Sequence, residues 1–186
     1  MPIYNVKDRL LYATTKLLTE SSDASKITAR QIAAKADANL AMINYYFASK
    51  DALVSAAVDK MITYRAFELE IIKEKNISAK QRLIEFLQKM ADIAVEYSPC
   101  IKTTVPYTLL KKEIAEPYHI LPMVKECLGD NYSETEHRII AYQLTTFIQI
   151  TFFRSDDFKK YSGLDIMDKE ERYTLLRTMV NFLIQD

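Results

Sequence analysis

The 186-residue sequence contains two glycines, Gly129 and Gly163, five prolines, two cysteines and no tryptophan. A β-sandwich or barrel turns about every 8–12 residues, and this chain lacks the glycine and proline to do so. A glycine-rich phosphate loop is excluded for the same reason. The net charge is zero, with 25 Lys and Arg against 25 Asp and Glu, so whole-molecule charge gives no argument for nucleic-acid or membrane binding. Long hydrophobic runs are missing as well. The longest uncharged apolar-rich stretch, 139–153, is shorter than the ~20 residues a membrane helix needs, and it carries Gln143, Thr145, Thr146, Gln149 and Thr151. Residues 1–20 hold Lys7, Asp8, Arg9, Lys16 and Glu20, which leaves no apolar signal-peptide core. Cys100 and Cys127 are expected to be reduced thiols in a soluble, cytoplasmic protein.

What is present is helical. An apolar fraction of 49% with 27% charged residues suits a globular chain, and the expected fold class is all-α with about nine helices. Leu10, Ala13, Thr14, Leu17 and Leu18 recur at helical spacing, and Ser21-Ser22-Asp23-Ala24-Ser25 breaks the pattern. Thr28 and Gln31 form a capping box that opens a short helix with Ile32, Ala33 and Ala36 facing inward. Asp37-Ala38-Asn39 turns the chain, and Asn39 caps a second short helix, 40–47. Ser49 and Asp51 start a long helix to about residue 74, striped by Leu53, Ala57, Met61, Tyr64 and Ile71. Ser78 and Gln81 form a second box before a helix to about Tyr97. Pro99, Pro106, Pro117 and Pro122 predict short or kinked helices over 98–128. Ser133 and Glu136 open a helix through about Arg154, residues 155–168 read as a loop, and a last helix starts at Asp168.

Enzymatic chemistry has no local signature. His119 and His137 stand apart from the cysteines, no zinc-ligand spacing occurs, and no nucleophile motif is present, so neither catalysis, a metal nor a cofactor is expected. His119 is expected to be partly buried in a helix and His137 solvated. Residues 28–47 are different. Two short helices joined by a tight turn form a helix-turn-helix, whose second helix enters the DNA major groove. That helix would present Leu40, Met42, Asn44 and Tyr45 on one side, while Ala36, Ile43 and Phe47 anchor the other. Asn44 can pair with adenine, and Met42 or Tyr45 can pack on a thymine methyl. Tyr46 and Lys50 are placed for phosphates, and the Thr28 helix start offers N–H groups to another. The competing reading is two short helices of a bundle, with Tyr45 and Tyr46 as core aromatics.

The segment from Thr28 to Phe47, T-A-R-Q-I-A-A-K-A-D-A-N-L-A-M-I-N-Y-Y-F, followed by Ala48-Ser-Lys-Asp-Ala-Leu53, resembles the signature of TetR-family transcriptional regulators. That signature runs T-x-x-x-I-A-x-x-A-G-V-S-x-G-x-[LI]-Y-x-[HY]-F-x-S-K-[ED]-x-L, and the resemblance covers roughly residues 5–65. Asp37 stands where the family has its turn glycine, Ala38 and Asn39 replace Val and Ser, Ala41 replaces Gly, and Asn44 replaces Tyr. Carried across, the DNA contacts fall on Thr28, Asn39, Leu40, Met42, Asn44, Tyr45, Tyr46 and Lys50, with Arg30 and Gln31 as further candidates. The resemblance implies a DNA-binding domain over 5–65 and a ligand-binding and dimerisation domain over 66–186. It implies a repressor released from operator DNA by a small-molecule effector, acting as a homodimer through helices near 134–154 and 168–186. Residues 139–153 are apolar on every side, which suits one face in a core and another against a partner. Met90, Tyr107, Tyr118, His119, Phe147 and Phe152 are candidate pocket residues. The alternative function is a small-molecule-binding or protein-interaction bundle without DNA binding. Residues 1–60 carry a net charge of +2 and residues 61–186 a net of −2.

Overall fold

The computed structural model describes residues 5–21, 24–63 and 66–185. Among them are eleven α-helices and no strand: α1 Val6–Glu20, α2 Ala29–Lys35, α3 Ala41–Phe47, α4 Lys50–Thr63, α5 Ala66–Lys73, α6 Ala79–Glu96, α7 Ser98–Leu110, α8 Leu121–Leu128, α9 Glu134–Phe153, α10 Ser155–Ser162 and α11 Lys169–Leu183. Short 3₁₀ turns lie at Ala24–Lys26, Glu116–His119 and Gly129–Asn131. Ser22, Asp23 and Tyr64, to which the sequence assigned a helix break and a stripe position, lie outside the described residues.

The chain divides into two compact units, and neither is continuous in sequence. One comprises residues 1–65 and 97–112; the other comprises 66–96 and 113–186. A single cut after residue 65 does not describe this arrangement, because α7 returns to the first unit. The reason is apolar. Cys100 is buried with Leu10, Ala13, Leu18, Ile32, Ile43, Leu53 and Ala57, while Tyr97 and Ile101 pack against the same cluster. The Cys100 thiol also points at the Leu18 carbonyl, 3.9 Å away. No pattern within 97–112 announces which core it joins.

The second unit has its own core. Leu83, Phe86, Leu87 and Ala91 of α6 pack with Val124 of α8, Ala141 and Leu144 of α9, and Leu176 and Val180 of α11. Two helix starts follow from the sequence. Ser133 and Glu136 form the full reciprocal box at α9, and the Asp168 side chain caps α11 by accepting from Glu171 N–H at 3.0 Å. Only half of the Ser78 box forms: Ser78 Oγ accepts from Gln81 N–H, but the Gln81 amide turns to Glu85. Residues 155–162, read as loop, are helix. Asp156 and Asp157 favour its N-terminus, Lys159 and Lys160 its C-terminus, and Gly163 ends it at φ +78°. His137 is buried rather than solvated, its Nε2 3.2 Å from the Gly129 carbonyl, whereas His119 is exposed in a 3₁₀ turn.

Candidate nucleic-acid interface

The interface is built on α2, α3 and the turn between them. Thr28 and Gln31 form the predicted capping box. Thr28 Oγ accepts from Gln31 N–H at 3.2 Å, and Gln31 Oε1 accepts from Thr28 N–H at 2.8 Å. Both side chains are therefore engaged in starting α2. Ile32 and Ala33 are buried beneath it. The helix ends in a Schellman motif, in which Ala38 N–H donates to the Ala33 carbonyl at 3.0 Å and Asp37 N–H to Ala34 at 3.2 Å. That motif requires a left-handed residue, and Asp37 supplies it at φ +47°. Aspartate tolerates this region better than most residues, so it can occupy the glycine's place.

Asn39 Oδ1 accepts from Ala41 N–H at 2.8 Å and so helps start α3. Ile43 is fully buried and anchors the helix on the core, with Phe47 half-buried beside it. The Lys7 ammonium lies 5.9 Å from the Phe47 ring centroid. Ala48 closes α3 in the left-handed region at φ +64°, its N–H donating to the Asn44 carbonyl. Ser49 Oγ then caps α4 by accepting from Ala52 N–H at 3.0 Å.

The side of α3 away from the core is open. Tyr45 is 75% exposed and Leu40 44%, with Ala41, Asn44 and Tyr46 also exposed. Tyr45 and Tyr46 pack edge to face at 4.8 Å, and neither belongs to the core. Two expectations need correction. Met42 is half-buried and packs against the core, because its position on the helix turns it toward α1 and α4 rather than outward. Its place on the open face is taken by Ala41, which is not among the expected contacts. Lys50 is half-buried, and its ammonium donates to the Ile27 carbonyl at 3.2 Å, tying the start of α4 to the approach to α2. Arg30 is exposed on α2. Lys35 is paired to Glu20 at 2.5 Å, and this hydrogen bond holds the Glu20 carboxyl below its ordinary range.

Charge follows the two units. The first carries 12 Lys and Arg against 6 Asp and Glu, a net of +6; the second carries 13 against 19, a net of −6. The segment 97–112 contributes Lys102, Lys111 and Lys112 and no acid, which is why a linear division of the sequence understates the segregation.

This geometry has relatives among solved structures. No family model matches the sequence, and no curated protein does. The Thermus thermophilus FadR, a TetR-family transcriptional repressor in complex with lauroyl-CoA, superposes with a TM-score of 0.70 at 14% identity, over 92% of this chain and 93% of that one. The fold is that of the TetR regulators. A TetR transcriptional regulator from Rhodococcus sp. RHA1 shares it at a TM-score of 0.69 and 14% identity, covering 97% of each chain. One from Haloarcula marismortui does so at 0.57 and 16%, covering 96% of each.

In the second unit of this TetR fold, the six candidate pocket residues do not converge. Phe152 is core, and Met90 packs half-buried against that core. Tyr107 belongs to the first unit, and His119 faces solvent. Tyr118 lines an open, mainly apolar cavity of about 570 Å³ with Ile114, Leu121, Ile139 and Tyr142, where Thr135, Arg138 and Gln143 are the polar groups. Phe147 lines a separate groove of about 590 Å³ between α9 and α11, with Tyr142, Ile150, Leu175 and Phe182. The α9–α11 face exposes Ile139, Tyr142, Ile150, Phe153 and Phe182, the last at 78%. Among the described residues, no group of three or more His, Cys, Asp or Glu side chains could hold a metal, and no helix is long and apolar enough to cross a membrane.

Proposed function

We propose that this chain is a ligand-responsive, DNA-binding transcriptional regulator that acts as a homodimeric repressor. The observation that carries the reading is the open face of α3. Large side chains, Leu40 and Tyr45, are left in solvent beside Asn44 on a helix whose opposite side is locked to the core by Ile43. Exposed apolar and amide groups on a rigid helix suit recognition of base edges in the major groove. The +6 charge of the first unit supports it, because Lys and Arg draw in the phosphate backbone and make affinity salt-dependent. Residues 1–65 with 97–112 form the DNA-binding part. Within it, Leu40, Asn44 and Tyr45 read bases, and Tyr46 and Arg30 contact phosphates. Asn39, Thr28 and Gln31 shape the backbone that presents them.

The remainder of the chain serves dimerisation and effector binding. The apolar face of α9 and α11 is of the kind that pairs with a second copy, so that two α3 helices can read two half-sites. The cavity beside α8 and α9 is within the volume range of small-molecule sites and offers a few polar groups on apolar walls. The lauroyl-CoA carried by the Thermus repressor supports an apolar effector here. An effector needs only a differential affinity for the two states, a coupling of roughly 1–3 kcal/mol.

Fluorescence anisotropy with duplexes from the region upstream of the chain's own reading frame tests the proposal. Salt-sensitive, sequence-specific binding is expected, lost on combining Asn44→Ala with Tyr45→Ala. Specific binding that survives both changes, or none at any salt concentration, refutes it.

A further inference from the structure

The exposed face of α3 carries no charge. Positions i, i+1, i+4 and i+5 share one side of a helix, and here they are Leu40, Ala41, Asn44 and Tyr45, all open to solvent. From Leu40 to Phe47 there is no Lys, Arg, Asp, Glu or Gln. The major-groove edge of guanine presents two acceptors, O6 and N7, which Arg or Lys reads; the cytosine amino group is read by a carboxylate. This helix supplies neither. Three basic residues of the motif are committed or placed elsewhere. Lys35 is held by Glu20, Lys50 donates to the Ile27 carbonyl, and Arg30 lies on α2, the helix that crosses the backbone in this motif.

What the face does supply is complementary to one kind of base pair. An asparagine amide offers one donor and one acceptor, the match for adenine N7 and N6. The Leu40 side chain, the Ala41 methyl and the Tyr45 ring offer apolar surface, and the only apolar group on any major-groove edge is the thymine methyl. The Tyr45 hydroxyl both donates and accepts, so it selects no base.

Resting on the DNA-binding reading, we propose that the base pairs facing α3 in each half-site are A·T pairs. Asn44 reads an adenine, and Leu40, Ala41 and Tyr45 pack on thymine methyls.

The test is selection of the full-length protein on random-sequence duplexes, followed by anisotropy on the selected site. The expected core is A·T, and replacing the adenine that faces Asn44 by guanine lowers affinity roughly 5- to 150-fold. Uracil in place of thymine removes only the methyl and is expected to weaken binding several-fold. Asn44→Ala is expected to abolish discrimination at its own pair while keeping it at neighbouring ones. Inosine·cytosine pairs separate major-groove reading from groove shape, because their major-groove edge is that of G·C and their minor groove resembles that of A·T. Loss of binding on that substitution supports the proposal. A selected G·C core, tolerance of inosine·cytosine, indifference to uracil, or unchanged discrimination in Asn44→Ala overturns the proposal while leaving DNA binding intact. Absence of both enrichment and salt-sensitive binding overturns the DNA-binding reading itself, and this inference with it.

Discussion

Arg172 of α11 is 4% exposed, and its guanidinium joins three pieces of the second unit. Nη1 donates to the carbonyls of Ile166, Met167 and Asp168 at 2.9, 3.2 and 3.2 Å, holding the loop before α11. Nη2 donates to Asp92 of α6 at 2.6 Å, and the Tyr173 hydroxyl donates to the other Asp92 oxygen at 2.6 Å. Breaking such a pair from one side strands the partner. Removal of one member of a buried pair costs about 3–5 kcal/mol; because the Asp92 side chain is a quarter exposed, the low end, about 3 kcal/mol, applies to Arg172→Met. Asp92→Leu is expected to lose about the same, and the double variant also about 3 kcal/mol, giving a coupling of about 3 kcal/mol in a double-mutant cycle. The assay is urea denaturation followed by far-UV circular dichroism at fixed protein concentration. Losses that simply add in the double variant would refute the reasoning. Acid supplies a second readout. Burial raises the Asp92 carboxyl, but the bonds from Tyr173 and Arg172 and the charges of Arg172 and Lys169 outweigh it, so Asp92 titrates below an ordinary aspartate. A depressed folded value means that the contribution is complete above about pH 3.9 and is lost as pH falls through the lower folded value. Asp92→Asn should therefore flatten the acid limb of the stability curve. At the alkaline end, burial and then the Asp92 carboxylate push the Tyr173 phenol up to about 12. Its contribution is present below about pH 10 and lost as pH climbs through the folded value, and Tyr173→Phe should remove that loss.

Ala48→Gly is expected to stabilise the first unit by up to about 1 kcal/mol, since a side chain at φ +64° is strained and glycine is not, and Ala48→Val should lose about as much; a lower urea midpoint for the glycine variant would contradict the strain argument. Ile139→Glu and Phe182→Glu replace exposed side chains on α9 and α11, so each should leave the fold intact while converting dimer to monomer in sedimentation velocity; a dimer unaffected by either change would place the interface elsewhere. Burial, then the Glu126 charge, pushes the Cys127 thiol up to about 11, so alkylation by iodoacetamide at pH 8 should be at least roughly tenfold slower in native than in urea-unfolded protein, and equal rates would refute the burial.

Local chemistry was the legible part. The Thr28–Gln31 and Ser133–Glu136 boxes, the turn at Asp37 and the inward Ile43 depend on residues within four positions of each other, and the structure shows them as read. What escaped reading depends on distant partners. The place of Met42 and Lys50 in the motif assigns both to the open surface, but one packs half-buried against the core and the other donates to the Ile27 carbonyl. His137 is buried because a carbonyl eight residues earlier accepts it. Helix α10 was hidden by its polarity, since eight residues with two acids and two lysines read as loop until the charges are matched to the helix ends. The left-handed alanine at 48 leaves no compositional trace. The pocket candidates scattered because large aromatics are chosen as readily by a core, which claims Phe152, as by a cavity, which claims Tyr118.

The return of α7 to the first unit sets the order in which the nascent chain can mature. The first 65 residues leave the ribosome with Leu10, Ile32, Ile43 and Leu53 still lacking Cys100, Tyr97 and Ile101 against them, and residues 66–96 follow before the second unit's other helices exist. Each unit thus waits on sequence synthesised after part of the other. Completion of both is a late event, and unpaired apolar helix faces are on display until then. A fragment ending at residue 65 would stay at that stage permanently, so any chimera that transplants the first unit must carry residues 97–112 with it.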